Sequence, residues 1–146
     1  MCVRRNAAFV APNKDPCANA SLTAAGGVNI RQRIAVTNAA VSSGFAVGGP
    51  LGALAAFAYL VHTGGPYDDK NGSGLGMYSD RVDAGNISYG VTCPFGAAFC
   101  QFAAGAAQTL GGNPNPNGTP QTGFDTPSDN ASIRVGQAMR AAGCHD

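Results

Sequence analysis

The sequence contains no glutamate and no tryptophan, only two histidines, and few charges of any kind. Asp, Glu, Lys and Arg together make up 12% of the 146 residues, about half the usual share. Carboxylate chemistry therefore falls to Asp15, Asp68, Asp69, Asp80, Asp83, Asp125, Asp129 and Asp146. With a formal net charge of +1, the chain lacks the basic field that tight nucleic-acid binding needs. No Gly-x-Ser-x-Gly elbow is present, and no glycine run ends in the Lys-Ser/Thr that cradles phosphate. No CxxC pair or Cys/His run points to zinc. The remaining nucleophile–base pairing would join Cys93 or Cys100 to His62 or His145.

Glycine (21) and alanine are plentiful, so a core built here is made of small side chains packed closely. The length suits one domain. Charge is unevenly placed: residues 1–66 hold five cations against Asp15 alone, and residues 67–146 hold four cations against seven Asp. The acidic half is where chemistry is expected. Five cysteines stand at 2, 17, 93, 100 and 144. Cys93 and Cys100 are spaced to close a small loop, and Cys17 and Cys144 lie near the two chain ends, which are often close in space. Paired in this way they fit an oxidising compartment with one thiol left over. Free or buried thiols are the competing reading.

The start, Met1-Cys2-Val3-Arg4-Arg5, lacks the apolar segment that follows the basic residues of a signal peptide. Residues 34–67 carry no charged side chain. The stretch is broken by Ser42-Ser43-Gly44 and Gly48-Gly49-Pro50 and is rich in Ala rather than Leu. It is read as two buried helices, with no stable membrane span.

Residues 1–20 read as an irregular arm and residues 21–146 as a single catalytic domain. Val28, Ile30, Ile34, Ala35 and Val41 recur at helical spacing. Pro50 suits the first turn of a second helix, whose buried stripe is Ala53, Ala56, Phe57, Leu60 and Val61 and which Gly64-Gly65-Pro66 ends. Residues 64–92 change to Gly, Asp, Asn, Ser and Tyr, and read as loops with short strands, one over Ile87–Val91. A third helix is expected over Phe95–Leu110, followed by a Gly/Pro/Asn loop over residues 111–125. The last helix has Thr126 as N-cap, Pro127 at its first position, Asp129 in its first turn, apolar Ile133, Val135, Met139 and Ala142, and Gly143 as its stop. The expected fold is mainly α (α+β): about four helices around an irregular Asp/Gly-rich middle with room for a short β-hairpin.

Four blocks carry a resemblance. Gly64-Gly65-Pro66-Tyr67-Asp68-Asp69-Lys70 resembles the Gly-Gly-Pro-Trp-Asp-Tyr-Lys opening of the polymorphic toxin type 44 domain. Asp83 through Thr92 resembles its Asp-Phe-Gly-Asn-Phe-Asn-Tyr-Gly-Ala-Thr block. Ala103-Ala104-Gly105-Ala106-Ala107-Gln108 is similar to its Ala-Gly-x-x-Gln helix. Asp125-Thr126-Pro127-Ser128-Asp129, with Ile133 and Gly136, resembles its Asp-x-Pro-x-Asp closing motif. The blocks run in order over residues 64–137. Tyr67 stands where the family has Trp, and Cys93 and Cys100 where it has a Gly-rich run. The resemblance implies a secreted antibacterial toxin domain, delivered into rival cells and neutralised by a cognate immunity protein.

The candidate polar residues are Asp68, Lys70, Asp83, Asn86, Tyr89, Asp125 and Asp129. A pair of Asp carboxyls, one protonated and one ionised, is the arrangement of glycoside hydrolysis. Asp68, Asp83, Asp125 and Asp129 are the candidate catalytic groups, and Lys70, Asn86 and Tyr89 the candidate substrate-binding ones. Together with cysteines suited to the periplasm, this leads to an expected hydrolase of peptidoglycan glycan strands in the envelope of a target cell. The alternatives are a ribonuclease, with Arg4, Arg5, Arg31 and Arg33 holding phosphates, and a pore-forming or binding module using residues 34–67. No cofactor is required by this chemistry. Asp69, Asn71, Ser73 and Asp80 stand at positions 1, 3, 5 and 12 of a calcium-loop spacing with Gly74 at position 6, where a plain Gly/Asn turn competes.

Overall fold

The computed structural model describes residues 15–24, 28–62, 66–67, 79–110 and 127–146, with the backbone alone for 24, 79–83 and 106–110. The described residues form five helices: α1 (Ala20–Ala24), α2 (Ile30–Val61), α3 (Ser79–Thr92), α4 (Ala97–Leu110) and α5 (Pro127–Ala141). Among the described residues there is no strand, and the domain is mainly α as expected. The strand expected over Ile87–Val91 is instead the second half of α3. The Gly, Asp, Asn and Ser content of residues 64–92 points to loops and short strands, yet Ile87 and Val91 stand four residues apart. On a helix both enter one core with Leu22, Ile30, Ile34, Ala84, Met139 and Cys144.

α3 and α5 form the main packing pair. Gly90 and Gly136 let the two backbones touch: a Cβ at Gly90 would collide with the Ile133 carbonyl oxygen, and one at Gly136 with the Ile87 carbonyl oxygen. Small residues at a crossing allow this approach, and they give many weak contacts rather than a few large ones. Arg140 of α5 donates to the Val91 carbonyl at 2.9 Å, satisfying an orphan acceptor at the end of α3.

α5 has the predicted form at both described ends. Pro127 is its first residue and Asp129 lies in its first turn. Gly143 (φ 104°) ends it. The Gly143 amide donates to the Arg140 carbonyl and the Cys144 amide to the Met139 carbonyl, both at 3.0 Å. That is the Schellman pattern, in which only glycine adopts the left-handed turn without strain. Ile133 and Met139 are buried as expected, but Val135 and Ala142 face solvent. Thr126 lies outside the described residues.

The chain ends are tied together. Cys17 and Cys144 form a disulfide with Cα atoms 4.8 Å apart. Beside it the Arg31 guanidinium donates to Asp15 and to the His145 carbonyl, each at 2.7 Å. α1 was not expected from the sequence. Asn19 starts it by accepting from the Ser21 amide at 2.9 Å, and Leu22 fills the core. Residues 1–14 of the N-terminal arm lie outside the described residues.

α2 is two helical arms meeting at Gly49 (φ 63°, ψ −149°), a conformation that side chains other than glycine's rarely permit. Pro50 then opens the second arm. The arms fold back on each other, and Gly44 and Gly52 meet backbone to backbone. The expected stripe is largely right: Ala53, Phe57 and Leu60 are buried, with Ala56 and Val61 half-buried. The expectation that both arms are buried holds only for their inner halves. Towards the turn the hairpin leaves the core, and Phe45, Val47 and Leu51 are exposed.

Candidate functional site

The cysteines near residue 96 define one wall of the molecule. Cys93 and Cys100 are joined, as their spacing suggested, with Cα atoms 6.2 Å apart. The bond removes them as thiol nucleophiles, so neither His62 nor His145 has a cysteine partner among the described residues. The Tyr89 hydroxyl donates to the Cys100 carbonyl at 2.7 Å, and its ring lies 5.7 Å from that of Phe57. Phe95 packs edge-on against Phe57 at 5.5 Å. Tyr89 therefore anchors the disulfide loop to α2, an assignment its sequence position did not reveal.

Arg33 links two of the motif segments. Its guanidinium donates to the Ser88 hydroxyl of α3 at 2.9 Å and lies over the Tyr67 ring, 4.8 Å from the centroid. The Tyr67 amide donates to the Leu60 carbonyl at 2.8 Å. Burial pushes the Tyr67 hydroxyl above its ordinary pKa of 10.0, against the lowering effects of Arg33 and of Thr37. A hollow of about 430 Å³ opens here between Asn29, Gln32, Arg33, Val36 and Tyr67.

Asn86 sits one turn before Gly90 on α3. Its Nδ2 is buried and has no hydrogen-bond partner among the described residues. A buried amide donor left unpaired costs free energy, on the order of 1–3 kcal/mol. Asp129, in the first turn of α5, is half-buried. Asp83 stands in α3 one turn before Asn86 and Asp80 near the start of that helix; their side chains lie outside the described residues. So do Asp68, Asp69, Lys70, Asn71, Ser73 and Asp125, and with them the calcium spacing. Among the described residues no group of three His, Cys or Asp side chains is placed to hold a metal.

The elements carrying the motif blocks are thus joined: Tyr67 to Arg33, Arg33 to Ser88, and α3 to α5 at the Gly90–Gly136 crossing. α4 joins them through Gln101, whose amide donates to Gln137 of α5 at 2.8 Å, while Gln137 donates to the Ala97 carbonyl at 2.9 Å. The cations Arg31 and Arg33, considered for phosphate binding, are both engaged with protein groups.

A second concavity lies on the opposite chemistry. A cleft of about 730 Å³ beside the α2 turn is lined by Val41, Phe45, Leu51, Leu54, Phe95 and Phe99, with Ser42 as a polar member. Its signal in the sequence is the uncharged run over 34–67, a pattern that buried helices share. Comparison with protein-family models, with curated proteins and with solved structures returns no match for this chain.

Proposed function

We propose that this domain is the toxin module of a secreted antibacterial protein, hydrolysing the glycan strands of bacterial peptidoglycan with Asp carboxylates. The observation that carries the reading is the chain of contacts from Tyr67 through Arg33 and Ser88 to the α3–α5 crossing. It draws together three segments, distant in sequence, that bear the toxin-like motifs. Asp68 follows Tyr67, Asp83 lies in α3, and Asp125 and Asp129 flank the start of α5 in sequence. Glycoside hydrolysis needs one carboxyl held protonated as acid and one ionised as base or nucleophile. Asn86, the candidate substrate-binding residue of α3, stands on the same helix as Asp83, one turn further on.

Two disulfides suit work outside the cytoplasm. The implied partners are peptidoglycan as substrate and an immunity protein that blocks it. No cofactor enters this scheme, and calcium at Asp69, Asn71, Ser73 and Asp80 would be an accessory ion. The alternative reading is a ribonuclease, with Arg4, Arg5, Arg31 and Arg33 as its phosphate-holding cations.

The test is incubation of the purified, oxidised domain with peptidoglycan sacculi. Soluble muropeptides are expected. Asp68→Asn, Asp83→Asn or Asp125→Asn at the true acid or base lowers the release rate about 10²–10⁴-fold while the fold persists. No release from the wild-type domain, together with RNA degradation, would replace this reading by the ribonuclease one.

A further inference from the structure

We infer that the turn of the α2 hairpin is a membrane-docking element that inserts shallowly into the boundary between lipid headgroups and acyl chains. From Gly44 to Ala58 no residue has a polar side chain, and from 34 to 67 none is charged. In a soluble fold such a run belongs in the core. Here its outer part leaves the core: Phe45 is 58% exposed, Val47 93% and Leu51 78%. A Cβ built at Gly48 or Gly49 would meet no atom of the described residues within 4 Å, so the turn is not packed against them.

The occupant follows from what this surface lacks. A protein-docking patch has an apolar centre and a polar rim, with about one hydrogen bond per 100–200 Å². Over Gly44–Ala58 the hairpin offers no side-chain donor, acceptor or charge to form that rim. Hydrocarbon asks for none. Ser42 and Ser43, both exposed, mark where polar groups resume on the first arm. From Ser42 to Gly48 the helix rises about 9 Å, within the depth of about 5–10 Å at which interfacial helices lie. Pro50, at the turn, has no backbone N–H to desolvate. The cleft lined by Phe45, Leu51, Leu54, Phe95 and Phe99 continues this apolar surface and offers a place for an acyl chain.

The inference is independent of the hydrolase reading, because none of these residues belongs to the polar segments. The absence of tryptophan makes it directly measurable. A Val47→Trp domain is mixed with phosphatidylcholine vesicles and, separately, with vesicles containing phosphatidylglycerol. The emission is expected to shift to the blue with both, and to be quenched by lipids brominated on the acyl chain. Co-sedimentation of the otherwise unchanged domain weakens about 100-fold in the Val47→Ser, Leu51→Ser double variant, whose helical circular dichroism is unaltered. Three outcomes would overturn the inference: no shift with either vesicle, co-sedimentation indifferent to the double substitution, or emission already blue without lipid in a protein that sediments as a dimer. The last would assign the surface to a second copy of the chain. Release of muropeptides from sacculi by the double variant stays at the wild-type level, so loss of one property does not imply loss of the other.

Discussion

The base of the molecule and the end of its hairpin use the same small residues to opposite ends. In the base, Gly90 and Gly136 bring α3 and α5 into backbone contact, and Ile87, Val91, Ile133 and Met139 bury what surrounds the crossing. In the hairpin, Gly44 and Gly52 bring the two arms equally close, yet Phe45, Val47 and Leu51 around them face outward. Close approach of helices is a local property of glycine. Whether it builds a core depends on a third element covering the pair. α1, α2 and the disulfide to Cys17 supply that cover in the base, and nothing among the described residues supplies it at the turn.

This contrast fixes where substitutions hurt. The largest effect is expected from opening the base with the Cys17→Ser, Cys144→Ser double substitution. The bond spans 127 positions, and loops of that size contribute about 4–5 kcal/mol through the unfolded chain. Urea denaturation would record the loss, which is a large share of a typical total of about 5–15 kcal/mol. The Cys93–Cys100 bond spans only 7 positions, so its removal is expected to cost about 2 kcal/mol in the same assay.

Next in size comes the pair of glycine substitutions that sets base against tip. Gly136→Ala forces a methyl group against the Ile87 carbonyl and is expected to destabilise by about 1–3 kcal/mol. Gly48→Ala meets open space and is expected to stabilise by about 0.5–1 kcal/mol, as alanine favours a helix. Equal costs for the two, read from thermal melts, would erase the distinction between the regions.

Asn86 sharpens the comparison from the functional side. Its buried Nδ2 has no partner among the described residues, so Asn86→Ala relieves that penalty while losing packing contacts, and the two offset to leave stability within about 1 kcal/mol of wild type. Replacing Asn86, a candidate substrate-binding residue, is also expected to lower muropeptide release by about tenfold or more. A loss of stability without loss of release would make Asn86 a packing residue.

The smallest effect concerns Tyr67. Burial raises its hydroxyl pKa above 10.0, so the folded state holds this proton more tightly than the unfolded one. The corresponding stability is intact below pH 10 and drains as pH rises from there through the raised value. Tyr67→Phe is expected to flatten that alkaline slope and leave the acid limb unchanged. Denaturation curves collected between pH 8 and pH 11 would show it.

Much of the frame was legible because local rules and tertiary contacts agreed. Pro127, Asp129 and Gly143 delimit α5, and Ala53, Phe57 and Leu60 gave the buried stripe of the second α2 arm. Both disulfides match the pairings that spacing and the nearness of chain ends offer, against the competing reading of free or buried thiols. The failures came where context overrode a local pattern. The Gly, Asp, Asn and Ser content of residues 64–92 points to loops and a short strand over Ile87–Val91, but the close approach of Gly90 to Gly136 packs this stretch as a helix against α5. An uncharged run suggested burial, since composition alone does not say whether another element covers it. Of the candidate site, Tyr89 proved to be an anchor for the disulfide loop, while the role of Arg33 in joining Tyr67 to α3 was not foreseen. Its charge drew attention to phosphate, and its partners lie 34 and 55 residues away along the chain.

The central claim is that this domain acts on the bacterial envelope, and the compartment of killing tests it most directly. The domain would be expressed in a susceptible bacterium with and without a fused signal sequence, and cell lysis followed. Lysis only when the domain is exported, abolished by Cys17→Ser with Cys144→Ser, is the predicted result. Growth arrest by the unexported domain, with no lysis on export, would contradict it.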